Sequence, residues 1–170
     1  MTDNQGRFQI KNYGKKSGFS NFLPGISGEH GIPIWCYYVN RGQCITSFGV
    51  EDNDHSIMEF FPAHQAYQHT KRMGFRTFLK INGEYEEAFS KDQNETTMSI
   101  GMNELEIVDR NVEKGIEIKV RYYTLPGEEL GGLVRHVTVT NTGEAACEVE
   151  LLDGMPAVIP YGVNLGAMKS

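Results

Sequence analysis

Residues 75–89 read FRTFLKINGEYEEAF and combine two runs of strand-forming residues with the dipeptide Asn82-Gly83 between them. Asn-Gly is the favoured central pair of a type I′ turn, whose twist matches that of the antiparallel strands on either side. The runs from Phe75 to Ile81 and from Glu84 to Phe89 are therefore predicted to form a β-hairpin.

Apolar and polar residues alternate in residues 104–125, ELEIVDRNVEKGIEIKVRYYTL. Leu105 and Ile107 alternate with acidic residues, and a second alternating run begins at Ile116 after the turn at Lys114-Gly115. A period of two residues places successive side chains on opposite faces of a strand. Two further antiparallel strands are predicted, each with one buried and one solvated face.

Residues 132–154, GLVRHVTVTNTGEAACEVELLDG, repeat the pattern once more. The apolar positions from Leu133 to Val139 and from Cys147 to Leu151 are separated by the polar turn Asn141 to Glu144. Pairing these two strands would bury a continuous apolar stripe, so they are predicted to pair with each other.

Helix is a minor component of the prediction. The best helical candidate is Ala63 to Met73, whose glutamines and histidines form no apolar stripe. With 19 glycines and 6 prolines punctuating short strands, the sequence predicts an all-β, antiparallel fold with at most one or two turns of helix.

Composition restricts the function classes. The 170 residues are enough for one domain, and 22 acidic against 16 basic residues give a formal charge of -6, which disfavours nucleic-acid binding. The sequence has no apolar signal region and no apolar run of about 18 residues, so a soluble, cytoplasmic protein without membrane contact is expected.

Cys36, Cys44 and Cys147 form no CxxC pair and are expected to be buried free thiols.

The stretch IPIWCYYV, residues 32–39, is bulky on both sides of a predicted strand. One face would carry Cys36 and Tyr38, and the other would carry Trp35 and Tyr37. This indicates a strand covered on both faces, in the core of a sandwich or at a domain interface. The alternative is that the rings of Trp35 and Tyr37 contact a sugar directly.

No chemical motif identifies a catalytic centre. The acidic stretch EDNDH, residues 51–55, lacks the spacing of an EF-hand and is interpreted as a solvated turn between strands ending near Val50 and starting near Ser56. The chain has no G-x-S-x-G, G-x-G-x-x-G or P-loop motif. No catalytic residue and no metal site is predicted.

Two longer segments resemble a known family. Residues 22–68, FLPGISGEHGIPIWCYYVNRGQCITSFGVEDNDHSIMEFFPAHQAYQ, and residues 151–164, LLDGMPAVIPYGVN, are similar to the N-terminal region of the cellobiose-phosphorylase-like proteins. These form the glycoside hydrolase family 94 group and its close relatives. The most specific motifs are FLPG, NRGQ, SFGV, EF.PA..AYQ and RTFLK.

The resemblance implies a fold and an activity. Such enzymes begin with a β-sandwich of the galactose-mutarotase-like kind, or supersandwich, joined by a helical linker to an (α/α)6 barrel. They cleave β-glucosides with inorganic phosphate and invert the anomeric centre. The general acid and the phosphate-binding residues belong to the barrel, which this sequence does not reach, so no catalytic residue carries over.

The resemblance further implies that residues 1–170 are an incomplete N-terminal sandwich segment. Inorganic phosphate would be the co-substrate of the parent enzyme, with no other cofactor. The expected partners are a β-glucan or β-glucoside, the helical barrel of the parent enzyme and a second copy of the chain.

Seven residues are chosen for their chemistry as candidates to reach a sugar or a neighbouring domain. They are Trp35, Tyr37, Arg41, Asp54, His55, His64 and Tyr67.

Two other functions remain open. An independent carbohydrate-binding module would use Trp35, Tyr37 and Tyr67 as a stacking platform. A sugar epimerase would need a histidine and a carboxylate, for which His136 and Glu150 are the candidates.

Overall fold

The computed structural model describes residues 2–23, 25–40, 42–49, 53–59 and 61–163. The described part of the chain holds twelve strands and one α-helix, and its sheets are antiparallel. The predicted all-β class is confirmed. None of the described helices is long and apolar enough to cross a membrane.

The strands are numbered in chain order. They are β1 (Phe8–Lys11), β2 (Ser20–Leu23), β3 (Ile26–Ser27), β4 (Ile32–Val39), β5 (Cys44–Phe48), β6 (Arg76–Ile81), β7 (Glu84–Glu87), β8 (Glu95–Ile100), β9 (Glu104–Asn111), β10 (Ile116–Thr124), β11 (Leu133–Asn141) and β12 (Val149–Gly154). The helix α1 spans Ala63–Met73, and short 3-10 turns span Tyr13–Lys15 and Asn53–His55.

The largest sheet has the order β1-β8-β9-β10-β11. Its β9–β10 hairpin matches the predicted alternation, with Leu105 and Ile107 buried on β9 and Ile116, Ile118 and Val120 buried on β10. The apolar faces of these strands point into the main core.

A three-stranded sheet has the order β12-β6-β7. The β6–β7 hairpin is the one predicted from the Asn-Gly pair, and Asn82 and Gly83 have φ of 48° and 89°. Positive φ at both central residues is what a type I′ turn requires. The hairpin prediction is confirmed.

The predicted pairing of β11 with β12 is wrong. β11 pairs along its whole length with β10, so that Val137 and Val139 pack against the main core. β12 instead pairs with β6, and Asn82 N–H donates to Glu148 O just before it begins. The turn after Asn141 therefore carries the chain from one sheet to the other.

In the third sheet, β4 pairs with β2 and β3 on one side and with β5 on the other. Cys36 and Tyr38 face the main core, whereas Tyr37 packs with Ile45 in a second cluster beneath α1. The prediction that this strand is covered on both faces is confirmed.

The main core is built from apolar side chains of the three sheets. Its largest fully buried members are Tyr122, Leu23, Leu79, Met98, Leu105, Ile107, Ile116 and Val120. Cys36 and Cys44 are buried free thiols in this core, as expected. Cys147 is also free but only half-buried.

The limit of one or two helical turns is wrong, because α1 has 11 residues, or about three turns. Its buried residues are Ala66 and Thr70, one turn apart, and the Thr70 hydroxyl donates to Ala66 O at 2.5 Å. A small and a polar residue on the buried face give no apolar stripe, which is why the helix pattern was weak. The helix ends at Gly74, whose N–H donates to Thr70 O.

Candidate functional site

The aromatic candidates occupy different environments. Tyr37 is 7% exposed and packs under α1 with Ile45 and Phe61. Trp35 is half-buried and lies across Gly49, where an added Cβ would come within 2.3 Å of the indole. Both side chains therefore contribute first to packing.

Tyr67 is half-buried on α1, and its hydroxyl faces Gly18, where an added Cβ would lie 2.9 Å from the oxygen. With Tyr37 buried beneath the helix, the rings of Trp35, Tyr37 and Tyr67 do not form the exposed platform that a stand-alone sugar-binding module would use.

The polar candidates lie near the two ends of the β5–α1 connection. Asp54 and His55 are exposed in the 3-10 turn Asn53–His55, and His64 is exposed in the first turn of α1. Gly49 and Ser56 form an isolated bridge, but the strand predicted to start near Ser56 is absent from the described residues, where the 3-10 turn Asn53–His55 precedes this bridge. Glu51, Asp52 and Val50 of the proposed turn lie outside the described residues, and so does the candidate Arg41.

A concave cavity of about 240 Å³ lies beside the end of α1. Four short segments line it, of which the second and third lie close together in residues 70–76, and we call it the motif cleft. They contribute Asn40, Gly42 and Gln43; Thr70 and Lys71; Phe75 and Arg76; and Glu87, Ala88, Phe89, Ser90 and Asp92, with Gly14 at one side. The segments NRGQ and RTFLK thus meet at one place.

Asn40 fixes one wall of the motif cleft. The side chain is 1% exposed, and its Nδ2 donates to the carbonyl oxygens of Lys16 and Ser17 at 2.8 and 2.9 Å. Its Oδ1 accepts from Phe19 N–H at 3.1 Å. A single buried amide therefore satisfies three backbone groups of the chain that precedes β2.

A buried polar network supports the floor of the motif cleft. Gln43 Nε2 donates to Thr77 Oγ1 at 3.1 Å, and the Thr77 hydroxyl donates to Asp153 Oδ1 at 2.6 Å. Arg135 Nη2 donates to Gln43 Oε1 and Thr77 Oγ1 at 2.5 and 2.9 Å, while Nη1 donates to Asp153 Oδ2 at 2.9 Å. Four side chains from four segments hold one another in place.

Aromatic rings hold the guanidinium of Arg135. Its Cζ lies 5.1 Å from the centre of the Phe75 ring and 5.5 Å from that of Tyr122. Burial raises the pKa of Tyr122 well above its usual value, although the Arg135 charge opposes this. The Arg135 side chain is only 7% exposed, so the aromatic rings and the hydrogen bonds stabilise its charge in place of water.

This network was not predicted from the sequence, although a signal was present. Arg135 is in phase with the inward-facing Leu133 and Val137 on β11. Thr77 and Asp153 are likewise in phase with the apolar residues of β6 and β12, and they lie opposite each other in the sheet. A polar residue at an apolar position of an alternating strand was the available clue.

An ion pair forms another wall of the motif cleft. Arg76 Nε and Nη2 donate to the two carboxylate oxygens of Glu87 at 2.8 and 2.7 Å. The hydrogen bond to Glu87 raises the pKa of Arg76. The two side chains remain 32% and 30% exposed, so the pair faces the cleft while holding its geometry.

Phe89 adopts a strained backbone at the rim of the cleft, with φ of 62°. Its N–H donates to Asp109 Oδ2 at 2.5 Å, and Asp109 is 2% exposed. Burial raises the pKa of Asp109, outweighing the hydrogen bond from Phe89. Burial and the nearby Asp109 charge also raise the pKa of Tyr13 well above its usual value.

Lys71 and Asp92 complete the lining of the motif cleft. Both residues are exposed, and neither forms an ion pair or hydrogen bond with another described residue. Their polar groups are therefore available to a ligand in the cleft.

The structure separates the two candidates for epimerase chemistry. His136 is exposed on the outer face of β11, opposite Arg121. Glu150 is exposed on the outer face of β12 and accepts from Lys80 Nζ at 2.6 Å. The two side chains lie on outer faces of different sheets and do not share a site.

No family model matches this sequence, and no curated protein matches it.

Proposed function

We propose that the chain is a non-catalytic β-sandwich segment of the galactose-mutarotase-like kind, from a carbohydrate-active enzyme resembling the inverting β-glucoside phosphorylases. The observation that carries the proposal is the bond between Gln43 and Thr77, 34 residues apart, which joins the NRGQ and RTFLK segments at the motif cleft. Two of the motifs on which the resemblance rests therefore contribute to one polar concave site.

In this proposal the chemistry belongs to the rest of the parent enzyme. Phosphate oxygen would attack the anomeric carbon from the face opposite the leaving group, and a general acid would protonate the departing glycosidic oxygen. The present chain supplies a rigid support for the sugar site, and none of its residues is assigned a proton-transfer or nucleophilic role.

The exposed strand β12 supports an association with the remainder of the parent enzyme. Leu151 and Leu152 are 48% and 71% exposed, and in the described part of the chain β12 has a neighbour only at β6. Apolar side chains on an unpaired edge are a surface that another polypeptide can cover. In the proposal this partner is the remainder of the parent enzyme, with homodimer formation as a second consequence.

The first test is to isolate the native polypeptide that contains residues 75–89 from its source cells and to determine its mass. We expect a polypeptide much longer than 170 residues that releases α-glucose 1-phosphate from a β-glucoside only when phosphate is present. A polypeptide of this length alone, or a longer one without phosphate-dependent cleavage, would contradict the proposal.

The two alternatives receive less support. A binding module built on Trp35, Tyr37 and Tyr67 would need Tyr37 at the surface, and an epimerase would need His136 and Glu150 in one site. The first condition is not met because Tyr37 is buried, and the second is not met because His136 and Glu150 lie on different sheets.

A further inference from the structure

We propose that the motif cleft binds a single monosaccharide ring, with Lys71 and Asp92 and the Arg76–Glu87 ion pair as its hydrogen-bonding groups. This inference rests on the proposed carbohydrate function, and it adds the size of the ligand and the residues that hold it. Neither Lys71 nor Asp92 was a candidate from the sequence.

The size of the motif cleft favours one ring. Its volume of about 240 Å³ is smaller than the roughly 300–1,000 Å³ of pockets that enclose drug-sized ligands. A second sugar unit would extend out of the cleft into solvent. The ligand class is therefore a terminal sugar or a free monosaccharide.

The charges in the motif cleft favour a neutral ligand. Among the described lining residues, Lys71 and Arg76 contribute two positive charges, and Glu87 and Asp92 contribute two negative charges. An anion such as phosphate would gain no net attraction from a balanced set. A neutral polyhydroxylated ring meets donors and acceptors without an unpaired charge.

The hydrogen-bonding capacity of the lining matches sugar hydroxyls, each of which can donate once and accept twice. Arg76 uses Nε and one N–H of Nη2 on Glu87, so three of its five N–H groups remain. Lys71 adds three donors and Asp92 adds a carboxylate with no partner among the described residues.

Apolar groups line the same cavity. Phe75, Ala88 and Phe89 line the motif cleft together with its polar groups. A pyranose ring has apolar C–H faces and polar edges, so it can place a face against an aromatic ring while its hydroxyls reach the charged groups.

Two parts of the motif cleft, around Gln43 and around the Phe89 backbone, are fixed by hydrogen bonds before any ligand arrives. Gln43 is held by Thr77 and Arg135, and the Phe89 backbone is held by Asp109. Side chains already fixed in place lose little conformational entropy on binding. This preorganisation favours recognition of one ring geometry over flexible polyols.

The test is a titration of the full chain with methyl β-glucoside, followed by NMR chemical shifts of the amide groups and by calorimetry. We expect saturable shifts at Lys71, Phe89 and Asp92, and none with inorganic phosphate or glycerol. The exposed variants Lys71→Met and Asp92→Asn should each raise Kd by about tenfold, because each removes hydrogen bonds from a charged group.

The matched control is Arg72→Met, since Arg72 is the exposed neighbour of Lys71 on α1 and does not line the cleft. Its Kd should equal that of the unmodified chain. Absence of saturable binding, or an equal effect of Lys71→Met and Arg72→Met, would overturn the inference. Phosphorolysis by the native polypeptide without sugar binding at the cleft would reject this inference alone, whereas binding without phosphorolysis would reject only the proposed function.

Discussion

Arg135 of β11 donates to the carboxylate of Asp153 of β12 at 2.9 Å, although the two strands belong to different sheets. Thr77 and Gln43 complete the bonding of this pair, in which the Arg135 side chain is 7% exposed and the Asp153 side chain 24% exposed. The ion pair therefore joins the two sheets at the end of the sandwich that carries the motif cleft.

Removal of the Asp153 carboxylate should destabilise the fold. Asp153→Ala leaves the buried guanidinium of Arg135 without its counter-charge, and we expect the free energy of unfolding to fall by about 2–3 kcal/mol. In the double variant Arg135→Met with Asp153→Ala, the loss should be smaller than the sum of the single losses.

Urea unfolding of the four proteins in this cycle measures the coupling. Glu150→Ala is the control, because Glu150 is an exposed residue of β12 paired with Lys80 and should contribute less than about 1 kcal/mol. Additive losses would show that Arg135 and Asp153 do not stabilise each other.

Gly74 should not tolerate a side chain. A Cβ at this position would lie 2.5 Å from Thr70 O and 2.6 Å from Cys44 O, and both are backbone atoms that cannot rotate away. Gly74→Ala should lower the free energy of unfolding by about 2 kcal/mol, because α1 must move away from β5.

The control for this substitution is Gly14→Ala, where no heavy atom lies within 4 Å of the added Cβ. Thermal unfolding should give a clearly lower Tm for Gly74→Ala than for Gly14→Ala. Equal Tm values would refute the close approach of the helix end to β5.

Glu86 should stabilise the protein at neutral pH and lose this effect in acid. Burial raises its pKa, but the hydrogen bond and charge of Lys91 and the charge of Lys114 outweigh burial, so the net pKa lies below the ordinary value of 4.5. Such a carboxylate stabilises the fold fully above its unfolded pKa, and the effect disappears as the pH falls through the lower folded pKa.

We therefore expect Glu86→Gln to be less stable than the unmodified chain by about 2 kcal/mol near neutral pH. The difference should narrow in urea titrations below about pH 4.5. Glu113→Gln, a change at an exposed residue, should have little effect. A difference that stays constant with pH would contradict the assigned ion pairs.

Asp109 should show the opposite pH dependence. Because burial raises its pKa above 3.8, the charged form is disfavoured in the folded state. Asp109 contributes its full stabilisation at pH values below its pKa in the unfolded chain, where it is protonated. This contribution is lost as the pH rises through its higher pKa in the folded protein. Asp109→Asn removes the buried charge and keeps an oxygen that can accept from Phe89 N–H.

Asp109→Asn should be at least as stable as the unmodified chain near neutral pH, and its advantage should vanish in acid. Asp109→Ala is the companion variant, and it should lose about 1–3 kcal/mol because Phe89 N–H loses its acceptor. Urea unfolding over a pH series separates the two effects, and a large loss in the Asn variant at neutral pH would reject a buried unfavourable charge.

Local patterns in the sequence were enough to predict much of the fold. The Asn82-Gly83 pair predicted the β6–β7 hairpin because its turn geometry depends on two adjacent residues. The bulky side chains on both faces of β4 predicted that other parts of the protein would pack against both faces. This prediction was possible because the alternation of side chains also depends only on neighbours along the chain.

Features that depend on distant residues were not predictable in the same way. The pairing of β12 with β6 depends on strands far apart in sequence, whereas the apolar stripe shared by β11 and β12 had predicted that these two would pair. The helix α1 was underestimated because Ala66 and Thr70 form its buried face. The lining of the motif cleft depends on four separate segments, so Lys71 and Asp92 had no distinguishing local pattern.

The partnership of β6 and β12 also sets an order of events during synthesis. Lys80 and Glu150, which face each other across these strands, are 70 residues apart, so a ribosome makes β6 long before its partner. During that interval one edge of β6 is unpaired, and the Thr77 hydroxyl cannot yet donate to the Asp153 carboxylate. This edge of β6 is therefore paired only after β12 has been synthesised, and until then it is open to pairing with another strand.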